Sequence, residues 1–239
     1  MEISILLLAY QEADNLKILL PKIINIMKDM KVEYEIIVVD SDTVLDKTPD
    51  ICKEYGARYI PQEEKHYGGA FRTGIKYADG KRTVVLDSDG SHDPSVIPQL
   101  YQKSLEGYDI VIGSRYCKGG KTNDAITSRI MSKILNTIMR IIIDVKAKDI
   151  STSFRIYMTD QLKSVKLGCE NYDILQEVIL KIKLNTVGFK IGEVPILFAK
   201  RVYGESKRHL LKFICSYILT VFKLLNIRMK WSGNTLSET

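Results

Sequence analysis

Asp87 and Asp89 stand one residue apart, at the end of the apolar run Thr83–Leu86. If that run is a strand, both carboxylates leave its end together and can reach one hard divalent cation through oxygen. Mg²⁺ or Mn²⁺ suits such a site when a diphosphate supplies the remaining ligands, because the metal neutralises charge on a leaving diphosphate. The spacing alone is common by chance. Its position before the turn residues Gly90–Pro94 strengthens the prediction of a metal and diphosphate site.

Two further apolar runs also end in polar residues. Ala9–Glu12 follows the first run, and Asp40–Asp42 follows the second. Because ligands bind outside the carboxyl ends of strands in an open α/β sheet, these residues and the acid pair are predicted to share a site. Aspartates at such positions can also cap helices, and we favour capping for Asp46. We do not favour it for Asp87.

The elements that would position these residues follow a regular alternation. Strand candidates are Ile3–Leu8, Glu35–Asp40, Arg58–Ile60, Thr83–Asp87 and Asp109–Gly113. Helical spacing recurs between them, over Leu16–Met27 with an interruption at Pro21, Asp46–Tyr55, Gly69–Ala78 and Pro94–Leu105. Strands that are apolar throughout imply parallel pairing with both faces covered. The sequence therefore predicts an α/β fold with a doubly wound, mainly parallel sheet.

The second half contains two apolar helical segments. The first is Ile126–Ile143, with a polar stripe of Arg129, Lys133, Asn136 and Arg140 opposite Ile130, Ile134, Ile138 and Ile142. The second is Leu210–Ile227, whose longest uncharged run falls short of the roughly 20 residues that a membrane span needs. It is predicted either to lie in a membrane interface or to pack on the domain. We predict a catalytic domain over residues 1–208 and a C-terminal helix and tail over 209–239.

The composition limits the classes of partner. The 239 residues carry 35 Lys+Arg and 29 Asp+Glu, a net charge of +6, which suits a membrane surface or a phosphorylated substrate. Nucleic acid is not predicted, since no aromatic RNA-binding motif or recognition-helix pattern accompanies the charge. The four cysteines lie far apart, which argues against a zinc site or a disulfide scaffold and favours a reducing cytosolic setting. The first residues lack the features of a signal peptide.

Seven segments carry a family resemblance: AYQE (Ala9–Glu12), VVD (Val38–Asp40), GGAFRTG (Gly68–Gly74), DSDGSHDP (Asp87–Pro94), IGSRY (Ile112–Tyr116), STSFRIY (Ser151–Tyr157) and GEVPILFAKRVYGESK (Gly192–Lys207). In this order and spacing they resemble glycosyltransferase family 2 with the GT-A fold, in its dolichyl-phosphate mannosyltransferase or polyprenyl-phosphate glycosyltransferase branch. The resemblance implies an inverting enzyme that moves mannose or glucose from a nucleotide sugar, with GDP-mannose favoured, to a polyprenyl phosphate. It also implies Mg²⁺ or Mn²⁺ and a peripheral location at the cytoplasmic face of a membrane.

The resemblance assigns roles to individual positions. Nucleotide-sugar binding is implied for Leu8, Tyr10, Glu12, Val39, Asp40, Asp42, Asp87, Ser88, Arg201 and Lys207. Metal binding is implied for Asp87, Asp89 and Ser91, acceptor-phosphate binding for Arg115 and Arg129, and direct catalysis for Asp89 and Arg115. Arginine forks and lysine point charges suit phosphate anions. Because a phosphate acceptor is already anionic, positioning and leaving-group stabilisation can replace a general base.

The sequence departs from the family pattern around the nucleotide. Leu8 stands where the family usually has Pro, and Gln11 replaces Asn. The loop Asp40–Thr48 lacks a second consecutive Asp and is one residue longer, which leaves guanine and uracil both open. Two alternatives stay open as well. One is a soluble sugar or glycan acceptor, which would require a general base. The other is a catalytically impaired module that only binds nucleotide sugar.

Other conspicuous residues are predicted to be structural. Gly68–Ala70 lacks a complete phosphate-binding pattern, so close helix packing is the favoured explanation. His92 is expected to be a structural histidine of the turn. Tyr172 and Asp173 are expected to open a helix and to take no part in catalysis.

Overall fold

A seven-stranded sheet forms the centre of the protein, with strand order β3-β2-β1-β4-β7-β5-β8. The structure is a computed structural model that describes residues 1–199 and 219–231. Its strands are β1 Ile3–Leu8, β2 Tyr34–Asp40, β3 Arg58–Pro61, β4 Arg82–Asp87, β5 Ile110–Ser114, β6 Lys121–Thr122, β7 Arg155–Met158, β8 Ile191–Pro195 and β9 Leu197–Phe198. Arg201, Lys207 and the predicted domain boundary at residue 208 lie outside the described residues.

All but one of the strands in this sheet run parallel to their neighbours. β1 pairs with β2 and β4 in parallel, and β7 pairs with both β4 and β5 in the antiparallel direction. The predicted doubly wound, mainly parallel sheet is therefore confirmed. β6 and β9 form a separate two-stranded parallel sheet.

Helices connect the strands and cover the sheet. They are α1 Ala13–Met30, α2 Thr48–Glu54, α3 His66–Tyr77, α4 Ile97–Leu105, α5 Ile126–Ile143, α6 Thr159–Ser164 and α7 Ile174–Asn185, with a 3₁₀ turn at Pro94–Val96. Pro21 lies inside α1, so the helix does not restart there but continues to Met30, whereas a kink at this proline stays a prediction. The buried face of α1, with Leu16, Leu20 and Ile23 fully enclosed, outweighs the loss of one helical hydrogen bond at proline.

Successive residues of each central strand enter opposite apolar layers. Leu6 and Val85 pack in the layer with α3 and α7, whereas Leu7 and Val84 pack in the layer with α1 and α4. This alternation explains why the strands are apolar at every position. The register of β1 and β4 places Leu8 beside Asp87, so the carboxyl ends of these two strands meet at one edge of the sheet.

α5 packs on the domain through a face that is partly polar. Asn136, Met139 and Ile143 are its buried residues. An outward set of isoleucines, called here the isoleucine face, stays exposed and consists of Ile126, Ile130, Ile134, Ile138 and Ile141. Asn136 faces inward because its amide nitrogen donates to Ser151 Oγ (3.1 Å) and its amide oxygen accepts from the Ile150 backbone (2.8 Å).

Residues 219–231 form a helical segment that packs beside α5 and α7. Leu224 is fully buried in the layer that also contains α7. Lys223 forms an ion pair of 3.0 Å with Asp173, and Arg228 donates to the Ile142 carbonyl at 2.7 Å. Its other side exposes Leu219, Phe222, Leu225, Met229 and Trp231. In the described residues, no helix combines the length and the apolar character that crossing a membrane requires.

Candidate active site

The acid pair lies at the carboxyl end of β4. Asp87 Oδ1 accepts a 2.7 Å hydrogen bond from Ser153 Oγ, and Asp89 Oδ1 accepts from the Ser91 backbone at 3.0 Å. Ser88, between the two acids, donates through Oγ to the Leu8 carbonyl at 2.9 Å. These contacts join the ends of β1 and β4 to the loop before β7, so the two carboxylates are held by three separate parts of the chain.

His92 supports the turn from within the core, as predicted. Its Nδ1 accepts a 3.2 Å hydrogen bond from the Asp87 backbone, and its ring packs against Phe154 and Phe198. Burial lowers the pKa of His92, against the opposing charge of Asp87. The neutral ring therefore fixes the backbone of the acid pair and leaves the ligand chemistry to the carboxylates.

A cleft of about 1020 Å³ opens at this edge of the sheet. It is lined by six of the predicted site residues, namely Leu8, Tyr10, Glu12, Asp87, Ser88 and Asp89. Other lining residues come from the first turns of α1, the loops before α2, α3 and α7, and the first turn of α3, including Lys17, Asp46, Lys47, Gln62, His66, Tyr67 and Tyr172. The three strand ends identified in the sequence thus reach one region, with the first and third facing the cleft directly.

The residues at the end of β2 are predicted site residues that do not line the cleft. Val39 and Asp40 are fully buried, and Asp42 is exposed but does not line the cleft. Neither carboxylate oxygen of Asp40 has a hydrogen-bond partner among the described residues. Burial raises the pKa of Asp40 to about 6, and the nearby charge of Asp46 adds to the rise. The predicted nucleotide contacts of these three residues stay predictions.

Arg115 is committed to a buried ion pair. Its guanidinium donates to Asp149 through Nε (2.7 Å) and Nη2 (2.9 Å), and Nη2 also donates to Ser151 Oγ at 2.8 Å. Asp149 is fully buried. Burial alone would raise the pKa of this carboxyl, but hydrogen bonds and the charge of Arg115 lower it. The structure therefore gives Arg115 a structural partner that the sequence did not reveal, while its role toward an acceptor phosphate stays a prediction.

Arg129, the other predicted phosphate ligand, lies exposed in the first part of α5. It shares this helix with the isoleucine face, and the helix contacts Arg115 through Ser132, whose Oγ accepts from Arg115 at 3.4 Å. Neither Arg115 nor Arg129 lines the cleft beside Asp87 and Asp89, so the structure does not bring the two predicted phosphate ligands into that cleft.

A buried arginine shapes the loop behind the acid pair. Arg155 is fully buried and donates to the carbonyls of Ile150, Thr152 and Leu175 at 2.7 Å each. These bonds hold the loop that presents Ser153 to Asp87. The segment STSFRIY was identified in the sequence only as part of the family resemblance. In the structure it holds Asp87, one of the two predicted metal ligands, through Ser153.

Gly68 packs against a neighbouring loop, which confirms the predicted helix-packing role. A Cβ at this position would collide with the backbone carbonyl of Cys169, and the Gly68 N–H donates to the Glu170 carbonyl at 2.6 Å. Asp173 precedes α7, as expected. Sequence reasoning missed that this contact also brings Tyr67 and Tyr172 together at the cleft, since the two lie in segments far apart along the chain.

The acid pair fits a divalent cation that shares its ligands with a substrate. No group of three or more His, Cys, Asp or Glu side chains in the described part of the chain is placed to hold a metal ion. Asp87 and Asp89 line the cleft, and the buried Ser91 Oγ has no partner among the described residues. Mg²⁺ is commonly bound by one or two carboxylates together with substrate phosphates, which is the donor set these residues offer.

The profile of glycosyl transferase family 2 matches residues 4–165, a range that contains the acid pair and most of the sheet. The chain belongs to glycosyl transferase family 2. It is therefore a glycosyltransferase, and the cleft beside Asp87 and Asp89 is the candidate active site of a family 2 enzyme.

Three similar proteins carry the names of enzymes that transfer a sugar to a polyprenyl phosphate. The chain is 34% identical to dolichol-phosphate mannosyltransferase of Pyrococcus furiosus over 98% of its own length, and it spans 65% of that protein. It is 30% identical to undecaprenyl-phosphate mannosyltransferase of Micrococcus luteus, with 87% of each chain covered. It is 28% identical to dolichyl-phosphate hexose transferase of Haloferax volcanii, with 72% of this chain and 73% of that protein covered.

Solved structures agree on the fold. Glucosyl-3-phosphoglycerate synthase of Mycobacterium tuberculosis, crystallised with Mn²⁺, UDP and glucosyl-3-phosphoglycerate, superposes with a TM-score of 0.71 at 19% identity, covering 94% of this chain and 80% of that one. The same enzyme with Mg²⁺ and UDP gives a TM-score of 0.73 at 18% identity, covering 94% and 79%. At these identities the likeness establishes the GT-A architecture.

Proposed function

We propose that this glycosyltransferase moves a hexose from a nucleotide sugar, with GDP-mannose favoured, to a polyprenyl phosphate. The observation that carries the proposal is the acid pair Asp87 and Asp89, which faces a cleft large enough for a nucleotide sugar. Three relatives, which are named as dolichyl- or undecaprenyl-phosphate sugar transferases, support the acceptor. The two mannosyltransferases among them support mannose.

The residues divide the chemistry between donor and acceptor. Asp87, Asp89 and Ser91 would hold Mg²⁺ or Mn²⁺. The bound cation would supply Lewis-acid stabilisation of the leaving nucleoside diphosphate. The acceptor phosphate is anionic at neutral pH and attacks the sugar carbon from the side opposite the diphosphate, which inverts that carbon. Arg129, exposed on α5, would hold this phosphate, and Arg115, which pairs with Asp149 at 2.7 Å, would take part only by giving up part of that pairing.

A transfer assay tests this proposal directly. The full chain is incubated with Mn²⁺, polyprenyl phosphate in detergent, and radiolabelled GDP-mannose or UDP-glucose, and lipid-linked sugar is extracted. Asp89→Asn is expected to lose at least about a hundredfold in rate, since removing an electrostatic stabiliser costs that much. Asp93→Asn is the matched control, because Asp93 is exposed and only caps a 3₁₀ turn through a bond that Asn can also accept.

The outcomes separate the alternatives. Lipid-linked product with at least one donor supports the proposal. Transfer only to a soluble sugar acceptor would replace the lipid by a glycan, and nucleotide-sugar binding without any product would indicate a module that has lost turnover. Equal rates for wild type and Asp89→Asn would refute the role of the acid pair.

We also propose that the enzyme is peripheral at the cytoplasmic face of a membrane. The isoleucine face of α5, which shares its helix with Arg129, and the apolar side of residues 219–231 leave large apolar side chains exposed on two helices that are joined by the bond from Arg228 to Ile142. A helix with an exposed apolar stripe and flanking cations suits an interface between water and lipid. This arrangement would bring the site to a phosphate that is anchored in the bilayer.

Flotation with lipid vesicles tests the membrane proposal. Replacing Ile130 and Ile134, which are 55% and 51% exposed, by Gln is expected to weaken vesicle binding by about tenfold or more, given roughly 25 cal/mol per Å² of apolar area. Val187→Gln is the control, since this side chain is fully exposed in the turn after α7. Equal binding of the α5 variant and wild type would rule out this face as the contact.

A further inference from the structure

Two tyrosines form a stacked pair on the wall of the cleft. The rings of Tyr67, in the first turn of α3, and Tyr172, in the loop before α7, lie with centroids 4.3 Å apart and planes inclined by 27°. Both residues line the same cleft as Asp87 and Ser88. The proposed function gives neither tyrosine a role.

The hydroxyl of Tyr67 is unusual. Its oxygen is buried and has no hydrogen-bond partner among the described residues. Burial raises the pKa of Tyr67 well above its ordinary range, and the charge of Asp87 raises it further, so this hydroxyl is protonated and lies within the electrostatic reach of the acid pair. A buried donor without a partner costs free energy, which a ligand hydroxyl in the cleft would recover.

The pair is held in place by a well-bonded loop. The Glu177 carboxylate accepts backbone hydrogen bonds from Gly168 (3.0 Å) and Cys169 (2.8 Å), and Arg72 donates to the Cys169 carbonyl at 2.7 Å. The Gly68 N–H then joins α3 to the same loop at Glu170. These contacts fix the distance between the segments that carry the two rings, so the stack is preorganised.

We propose that Tyr67 and Tyr172 bind the hexose ring of the donor, an inference that rests on the proposed function. A hexose joined to a diphosphate at Asp87 must lie next to that carboxylate, where the tyrosines form the wall. The C–H face of a sugar packs well on an aromatic ring, and the Tyr67 hydroxyl supplies a hydrogen bond to a sugar hydroxyl. The pair would therefore contribute to donor-sugar selection.

Calorimetry separates the sugar from the nucleotide. Binding of GDP-mannose and of GDP, each with Mn²⁺, is measured on the full chain, together with UDP-glucose and UDP. In Tyr172→Ala the affinity for the sugar nucleotide is expected to fall about three- to tenfold relative to that for the nucleoside diphosphate. Tyr172→Phe, which keeps the ring, is expected to restore the wild-type ratio.

A second variant tests the hydroxyl. Tyr67→Phe keeps the stack and removes the donor, so it is expected to reduce the same ratio severalfold. Tyr59→Phe is its matched control, since the Tyr59 hydroxyl is also buried without a described partner and does not line the cleft. Folding of each variant is checked by its urea midpoint.

The results distinguish this inference from the proposed function. Equal losses for the sugar nucleotide and the nucleoside diphosphate would mean that the tyrosines bind the nucleotide, and would overturn the inference. So would unchanged ratios in variants that still transfer sugar, or an effect confined to the KM for polyprenyl phosphate. A wild-type chain that binds no nucleotide sugar at all would overturn both the proposed function and this inference.

Discussion

Asp40, at the end of β2, allows a test of how much an ionised buried carboxylate lowers the free energy of unfolding. Its carboxylate is fully buried, has no hydrogen-bond partner among the described residues, and lies near the charge of Asp46. The pKa of Asp40 rises from 3.8 to about 6 for this reason. At 1.36 kcal/mol per pKa unit, holding this group ionised in the folded protein costs about 3 kcal/mol.

Proton linkage gives the direction in which the free energy of unfolding changes with pH. Between about pH 4 and pH 6 the folded protein binds more protons at Asp40 than the unfolded chain does, so the free energy of unfolding falls as pH rises through this window. Above about pH 6 the full cost is present. Asp40→Asn removes the ionisation, so the variant is expected to gain about 3 kcal/mol relative to wild type on going from pH 4 to pH 8.

Urea denaturation of wild type and Asp40→Asn at pH 4, 6 and 8 measures this difference. Only the change of this difference with pH is diagnostic, because any difference in packing between the amide and the protonated acid contributes equally at every pH. Asp29→Asn, an exposed substitution on α1, serves as the control and is expected to show little pH-dependent difference. A difference between Asp40→Asn and wild type that stays constant from pH 4 to pH 8 would refute the reasoning.

Two further substitutions probe the supports of the site. Asp149→Asn is expected to lower the free energy of unfolding by about 3–5 kcal/mol, because it leaves the Arg115 charge buried without its carboxylate. Asp124→Asn is the control, since it removes only a contact of 3.7 Å to the same guanidinium, and it should cost far less. Urea titration measures both variants. Gly68→Ala is expected to cost about 1–3 kcal/mol, since its Cβ meets backbone atoms. Gly168→Ala should be nearly neutral, with its nearest neighbour at 3.8 Å; similar midpoints for the two alanine variants would contradict the packing argument.

The sequence was most informative where one pattern continues unbroken along an element. β1 and α5 have the predicted bounds, because an unbroken apolar run or a sustained helical period leaves few alternatives. The antiparallel direction of β7 was not predicted, since the direction depends on how the chain enters the sheet and not on the composition of the strand. Pro21 misled the prediction of a restart because tertiary packing of α1 outweighs a local helix signal.

The candidate site was predictable where it follows the strand ends. Asp87, Ser88 and Asp89 were identified because they directly follow an apolar run. Pairings between distant segments were not. Asp149 as the partner of Arg115 and Tyr172 as the partner of Tyr67 depend on loop conformations that no local pattern encodes. The helical period alone did not determine which side of α5 packs inward, because Asn136 is buried by hydrogen bonds to a loop.

The ion pair between Lys223 and Asp173 connects the segment 219–231 to the cleft, and so connects membrane adsorption to the affinity for the donor. Asp173 directly follows Tyr172 at the rim of the cleft, and Lys223 belongs to the segment whose outer side is apolar. If that segment is held by a bilayer, adsorption restrains the rim through this bond. Thermodynamic reciprocity then requires that donor binding tightens adsorption by the same factor by which adsorption raises the affinity for the donor, so a loaded enzyme would dwell longer on the lipid than an empty one.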